Sequence, residues 1–361
     1  MEVDFGGQGE IAFERRGYAG LVRLTRPASL NALTHGMIKA LRRALIAWEA
    51  DPQVACVIVE GEGRAFCAGG DVVAAFNAGR NGSPPYEFFS DEYRLNAHID
   101  RYSKPYIAFL DGIVMGGGAG ISVHGSHRVV TENTLFAMPE VGIGFFPDVG
   151  GSAFLPHLPG HFGAYLALTG NRIRQGDCLG SGIATHAIPA AEIQRIRSRL
   201  VDTGDVEATF ANMADMPGPD FETGAQTREL IAQSFCELTL EACIAALSKK
   251  AQAGSETAQD ILAILESRSP TSLHVTFRQI AEGRALKMDD CMRMEYRILN
   301  RMLEGHDFYE GVRVALIDKG STPQWKPARH EEIAPGDIDA YFAPLPQGNP
   351  QGDPKGELTL P

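Results

Sequence analysis

The chain has 361 residues, 44% of them hydrophobic, enough for one large core plus a second region beyond the usual single-domain size. Its formal net charge of −12 argues against nucleic acid or an anionic membrane as a partner, so an anionic ligand must be met by local basic residues or backbone donors. The six cysteines form no C-x-x-C pair and read as reduced core thiols, so neither a disulfide frame nor a bound metal is expected.

The first residues, Met1-Glu2-Val3-Asp4, are acidic where a signal or transit peptide is basic, and no apolar run reaches membrane-spanning length. A cytoplasmic protein with no membrane partner is the expectation. Gly20 to Thr25 alternates like a strand, and Met37, Ile38, Leu41, Ala44, Leu45 and Trp48 recur at helical spacing before Asp51-Pro52 ends that helix. Val54 to Val59 is a continuous β-type run. Tyr106 to Leu110, His127 to Thr131 and Leu135 to Ala137 are further strands, with a helix starting near Gly117. Strand, helix and buried strand in that order predict an α/β layered core, with loops after strand ends as the place for chemistry.

Beyond about residue 200 strand signals stop. Segments 225–251, 256–267, 271–283, 289–304 and 307–318 read as helices, with Ser269-Pro270 and Asp289 as N-terminal caps. The domain expectation is a core over 10–200, a helical region over 201–330 entered through a linker around Met213 to Pro219, and a Pro-, Gly- and charge-rich tail over 331–361, partly disordered. No internal repeat of convincing fidelity is visible.

Several chemistries are absent as motifs: G-x-S-x-G, H-E-x-x-H and the Walker G-x-x-x-x-G-K-[ST] do not occur, and the glycine run fits no dinucleotide fingerprint. The ten histidines are scattered and read as structural. What stands out is Met138-Pro139-Glu140-Val141-Gly142-Ile143-Gly144-Phe145-Phe146-Pro147-Asp148-Val149-Gly150-Gly151, with two carboxylates eight residues apart in apolar surroundings. An acid among Met, Phe, Val and Pro is either exposed on a loop or held in a pocket where its chemistry is used.

About twenty residues upstream lies Met115-Gly116-Gly117-Gly118-Ala119-Gly120, and a second glycine loop, Ala65-Phe66-Cys67-Ala68-Gly69-Gly70-Asp71, follows the Val54–Val59 strand. Two N–H groups from separate loops make an oxyanion hole, and glycine lets a carbonyl come close. Gly117, at a helix start where the dipole adds positive potential, is the first candidate donor.

These loops, with Arg26-Pro27, Asn31-Ala32 and Pro139-Glu140, resemble the crotonase (enoyl-CoA hydratase/isomerase) superfamily. Within it the chain is similar to the branch that hydrolyses 3-hydroxyisobutyryl-CoA, through Phe89 to Tyr93, Phe136 to Gly151, Ser269 to Leu273, Met294-Glu295-Tyr296-Arg297 and Asp307 through Lys319 to Pro327. The resemblance covers residues 12–328. It implies an α/β fold with a spiral core of repeated ββα units and a helical C-terminal region. It also implies that Gly70 and Gly117 donate to the thioester carbonyl, that Glu92, Glu140 and Asp148 line the acyl site with Ala68 beside them, and that Glu140 and Asp148 are catalytic. Coenzyme A enters as part of the substrate, with no separate cofactor; self-association is left open. Hydratases of this fold carry a glutamate directly after the glycine run, where this chain has Gly120, and usually glycine where it has Asp148. That departure favours hydrolysis over hydration. A hydratase or isomerase, a broader acyl-CoA hydrolase and a non-catalytic CoA-binding protein are the alternatives.

Overall fold

The apolar runs become strands β1 (Ile11–Arg16), β2 (Ala19–Leu24), β3 (Cys56–Gly61), β4 (Ala65–Cys67), β5 (Tyr106–Leu110), β6 (Ile113–Met115), β7 (His127–Val130), β8 (Leu135–Ala137) and β9 (His186–Ala187). The computed structural model describes residues 1–214, 218–345 and 356–360. The helices, in chain order, are α1 (His35–Ala50), α2 (Val72–Arg80), α3 (Tyr86–Asp100), α4 (Gly117–Gly120), α5 (Gly151–Phe154), α6 (Phe162–Thr169), α7 (Gln175–Ser181), α8 (Ile193–Thr203), α9 (Val206–Ala214), α10 (Ala225–Ser234), α11 (Leu240–Gln252), α12 (Glu256–Glu266), α13 (Pro270–Gly283), α14 (Met288–Glu304), α15 (Asp307–Val312) and α16 (Pro335–Phe342).

Six strands form one sheet in the order β1-β2-β3-β5-β7-β9, and β4-β6-β8 form a second. β1 pairs antiparallel with β2, and every later neighbour in the large sheet is parallel. β3, β5 and β7 thus enter the large sheet in chain order, and the strand following each enters the small one. A helix or 3-10 turn comes next each time, which makes the spiral of ββα units. The repeat lies in pairing, not in residue identity, and for that reason no sequence repeat was visible. All five residues of β5 are buried, as befits a parallel strand covered on both faces.

The chain forms two units that interleave: Met1–Asp71, Asp91–Phe136 and Ile173–Glu222 make the first, and Val72–Ser90, Ala137–Arg172 and Thr223–Pro361 the second. The sequence expectation was of consecutive blocks; long-range pairing, which no local pattern encodes, sorts the segments differently. In the first unit, Ile58, Phe109, Val129, Ile196, Leu200 and Phe210 share one buried cluster. Thr34 caps α1 by accepting the Met37 N–H, and the helix buries Met37, Ile38, Leu41, Leu45 and Trp48. Each such side chain contributes about 1.5–3 kcal/mol on burial.

The second unit is helical after residue 222, with differences from expectation. Segment 225–251 is two helices, because Phe235 closes the first and Thr239 caps the next by accepting the Ala242 N–H. Ser269 caps α13 as expected, but α14 is entered at Lys287, with Asp289 in its first turn. Segment 307–318 changes from α15 to a π-helical turn at Arg313–Ile317. The tail contains α16, and Glu357 accepts from Arg297 Nε at 2.8 Å while Leu358 is buried. Residues 346–355 and 361 of the expected tail, and 215–217 of the expected linker, lie outside the described residues.

Candidate active site

In the first unit, the setting of the glycine loops starts from Arg26 and Asn31. Asn31 is fully buried at φ 57, a left-handed conformation that Asn tolerates. Its Nδ2 donates to Glu62 O at 2.9 Å and Ala65 O at 2.8 Å, while its Oδ1 accepts the Arg26 N–H at 2.9 Å. Arg26 Nη1 donates to Ala32 O at 2.5 Å and pairs through its other nitrogens with Glu10 and Asp71. This fixes Leu33, which bridges to the second glycine loop: Leu33 N donates to Gly69 O at 2.8 Å, and Asp71 N donates to Leu33 O at 3.1 Å. Because residues 69 and 71 make both bonds, the Gly70 N–H faces away from Leu33.

Gly117 opens α4 opposite this loop. A β-carbon on Gly117 would lie 3.2 Å from Gly70 N and 2.6 Å from Glu92 Oε1, so both groups crowd the space that glycine leaves empty. Gly70, Gly117 and Glu92 are therefore brought together within the first unit, with Glu92 buried on α3. Ala68 is half-buried and donates its N–H to Leu30 O at 3.0 Å, which leaves its carbonyl as the group it has to offer a ligand. Cys67, next to it, is no nucleophile at neutral pH: burial pushes its thiol up to about 12.

Glu140 and Asp148 belong to the second unit. Glu140 opens a 3-10 turn, Glu140–Ile143, that ends on Gly144 in the left-handed region at φ 66. A β-carbon on Gly144 would meet Asp307 O at 2.2 Å, so this position needs glycine for both conformation and space. Glu140 is 7% and Asp148 5% exposed, so the loop is held in, not solvated. The C-terminal helices clamp it. Ser272 Oγ donates to Phe145 O at 2.6 Å and Gln279 Nε2 to Pro147 O at 2.5 Å, both from α13. From α14, Glu295 accepts the N–H groups of Gly150 and Ser152, each at 2.9 Å.

Glu295 is a residue to which sequence reasoning gave no role. It is fully buried, and burial, aided by the charge of nearby Asp148, pushes its carboxyl up to about 8 against three hydrogen bonds that lower it. A signal was available. Cys291, Met292, Glu295, Leu299 and Met302 follow helical spacing on the buried face of α14, so an acid falls on an apolar stripe.

Of the six cysteines, Cys236 is exposed and the others are buried, all of them free. Among the described residues no cluster of three or more His, Cys, Asp and Glu could hold a metal ion, and no helix is long and apolar enough to cross a membrane.

A parallel sheet and a small second sheet fed in turn by ββα units, followed by helices, is the architecture of the crotonase fold. A family model described as Enoyl-CoA hydratase/isomerase matches residues 19–342, and the chain belongs to that family. A Xenopus tropicalis protein named 3-hydroxyisobutyryl-CoA hydrolase, mitochondrial, is 44% identical over 93% of this chain and 89% of its own length. An Arabidopsis thaliana protein named 3-hydroxyisobutyryl-CoA hydrolase 1 is 39% identical over 95% of this chain and 93% of its own length. Among solved structures, one titled a carnitinyl-CoA dehydratase from Mycobacterium thermoresistibile is similar with a TM-score of 0.88 at 40% identity, covering 97% of this chain and 98% of that one. One titled an enoyl-CoA hydratase from Rhodobacter sphaeroides 2.4.1 has a TM-score of 0.85 at 32% identity, covering 97% and 100%.

These relatives correct the cytoplasmic expectation. The vertebrate proteins at 41–44% identity are named mitochondrial, so acidic residues at the first positions are no guide to compartment.

Proposed function

We propose that the chain hydrolyses the thioester of 3-hydroxyisobutyryl-CoA, giving free coenzyme A and the hydroxy acid, a step of valine breakdown. The observation that carries this reading is the placement of acids. Gly120, buried in α4, puts no carboxylate where hydratases of this fold carry a glutamate, while Glu140 and Asp148 are both held buried on one clamped loop. The names of the Xenopus and Arabidopsis relatives support the same substrate.

In this reading Gly70 and Gly117 N–H groups take the negative charge that develops on the thioester oxygen; loss of one such donor typically costs about 10²–10³ in rate. Glu140 serves the acyl transfer by one of two routes. As general base it removes a proton from water, whose oxygen bonds to the carbonyl carbon as the C–S bond breaks and the thiolate leaves to take up a proton. As nucleophile its carboxylate oxygen bonds to the carbonyl carbon as the C–S bond breaks and the thiolate leaves to take up a proton, and water then opens the anhydride to the free hydroxy acid and the Glu140 carboxylate. Asp148 binds the substrate hydroxyl and orients the acyl group; Glu92 and the Ala68 carbonyl line the acyl pocket. Water is the only co-substrate, and coenzyme A arrives with the acyl group.

A hydratase reading draws on the titles of the two solved structures, and Gly120 weighs against it. The test is thiol release from 3-hydroxyisobutyryl-CoA, 3-hydroxypropionyl-CoA and a straight-chain acyl-CoA without the hydroxyl. The two hydroxy thioesters should be cleaved well and the third at least tenfold worse in kcat/KM. Equal cleavage of all three would replace this reading with that of a broad acyl-CoA hydrolase.

A further inference from the structure

The backbone after Asp148 is held in an unfavourable shape. Val149 has φ 51 and Gly150 φ 89, two successive left-handed residues, and the first is β-branched, a type that occupies this region only under constraint. The constraint is visible. Glu295 Oε2 accepts the Gly150 N–H at 2.9 Å, and its Oε1 accepts the Ser152 N–H at 2.9 Å and also the Ser152 hydroxyl. On the other side of Asp148, Gln279 holds Pro147 O. A buried carboxyl in the middle of a helix thus spends both oxygens on the turn that follows Asp148.

We propose that Glu295 is a positioning residue, whose carboxyl group fixes the turn Val149–Ser152 and thereby aims the carboxylate of Asp148. This rests on the role assigned above to Asp148. A carboxyl group is needed, not merely a polar side chain of its size. Both of its oxygens accept a backbone N–H, so an amide in the same place turns a donor toward either Gly150 or Ser152. Its proton-dependent states preserve the grip: a protonated Glu295 still accepts both N–H groups and donates to Ser152 Oγ. The effect on catalysis is through geometry, where a displacement of about 1 Å can cost on the order of 10² in rate.

The test uses the full chain and thiol release from 3-hydroxyisobutyryl-CoA, with Glu295→Gln, Asp148→Asn and the double variant, each checked for folding by circular dichroism. Glu295→Gln should lower kcat at least tenfold and shift KM in the same direction as Asp148→Asn. In the Asp148→Asn background it should cost less than about threefold more, because the group it aims is already lost. A folded Glu295→Gln enzyme with unchanged kcat and KM, or losses that multiply with those of Asp148→Asn, overturns the inference while leaving the site reading in place. An Asp148→Asn enzyme with unchanged kinetics overturns the site reading and this inference with it. If Glu295→Gln does not fold, Ser152→Ala carries the test: it removes one contact and keeps both N–H groups, and should lower kcat about two- to fivefold with the same KM shift. Unchanged kinetics for folded Ser152→Ala would then overturn the inference.

Discussion

Glu92 Oε1 occupies the space beside Gly117: a β-carbon on Gly117 would approach it to 2.6 Å, closer than real β-carbons come to any oxygen, and would also press on Gly70 N at 3.2 Å. Gly70, Gly117 and Glu92, the two proposed donors and one proposed acid of the acyl site, therefore share a single packing constraint. Gly117→Ala forces Glu92 or the α4 start to move and should lower kcat by on the order of 10². Steady-state kinetics with a thermal melt check this. A folded alanine variant with near-normal turnover would remove Gly117 from the oxyanion hole.

Glu140→Gln keeps size and abolishes both basic and nucleophilic character, so kcat should fall by at least about 10² with little change in KM. Retention of more than roughly a tenth of the turnover, a cost of about 1.4 kcal/mol, would put the chemistry elsewhere. Hydroxylamine trapping separates the two routes for the wild-type enzyme: an anhydride on Glu140 leaves a hydroxamate on the protein, and general-base catalysis leaves none.

The Glu295 carboxyl titrates near 4.5 when exposed and about 8 in the folded chain. Between these values the folded state holds a proton that the unfolded state has released, so this group's contribution is fully present below about pH 4.5 and is lost as pH rises through about 8. Denaturation midpoints at pH 5 and pH 8.5 should therefore fall more for the wild type than for Glu295→Gln, which cannot titrate. A variant whose midpoint falls as much as that of the wild type would show that Glu295 is not the group responsible.

What the sequence revealed, and what it hid, follows from where the information lies. β5 is legible because Tyr106 to Leu110 is apolar throughout, and α1 because its stripe ends at Asp51-Pro52, where the helix does end. β1 and α3 gave no expectation, since Ile11 to Arg16 is half charged and Tyr86 to Asp100 mixes apolar and polar residues without a dominant face. The acid loop stood out because Glu140 and Asp148 are out of character with their neighbours. Its clamp did not, because Glu295 meets Gly150 and Ser152 across 145 and 143 residues of chain. Likewise Asn31 reads as part of a family motif, while its reason, two buried carbonyls at Glu62 and Ala65, appears only in the fold.

Whether this chain breaks a thioester or adds water across a double bond is decided most directly by following crotonyl-CoA and 3-hydroxyisobutyryl-CoA side by side, reading enoyl absorbance for hydration and free thiol for hydrolysis. With Gly120 supplying no acid, crotonyl-CoA should keep its absorbance while 3-hydroxyisobutyryl-CoA releases thiol, the two rates differing by at least about a hundredfold, or about 2.7 kcal/mol in barrier. Hydration of crotonyl-CoA at a rate equal to or above thiol release would contradict the account.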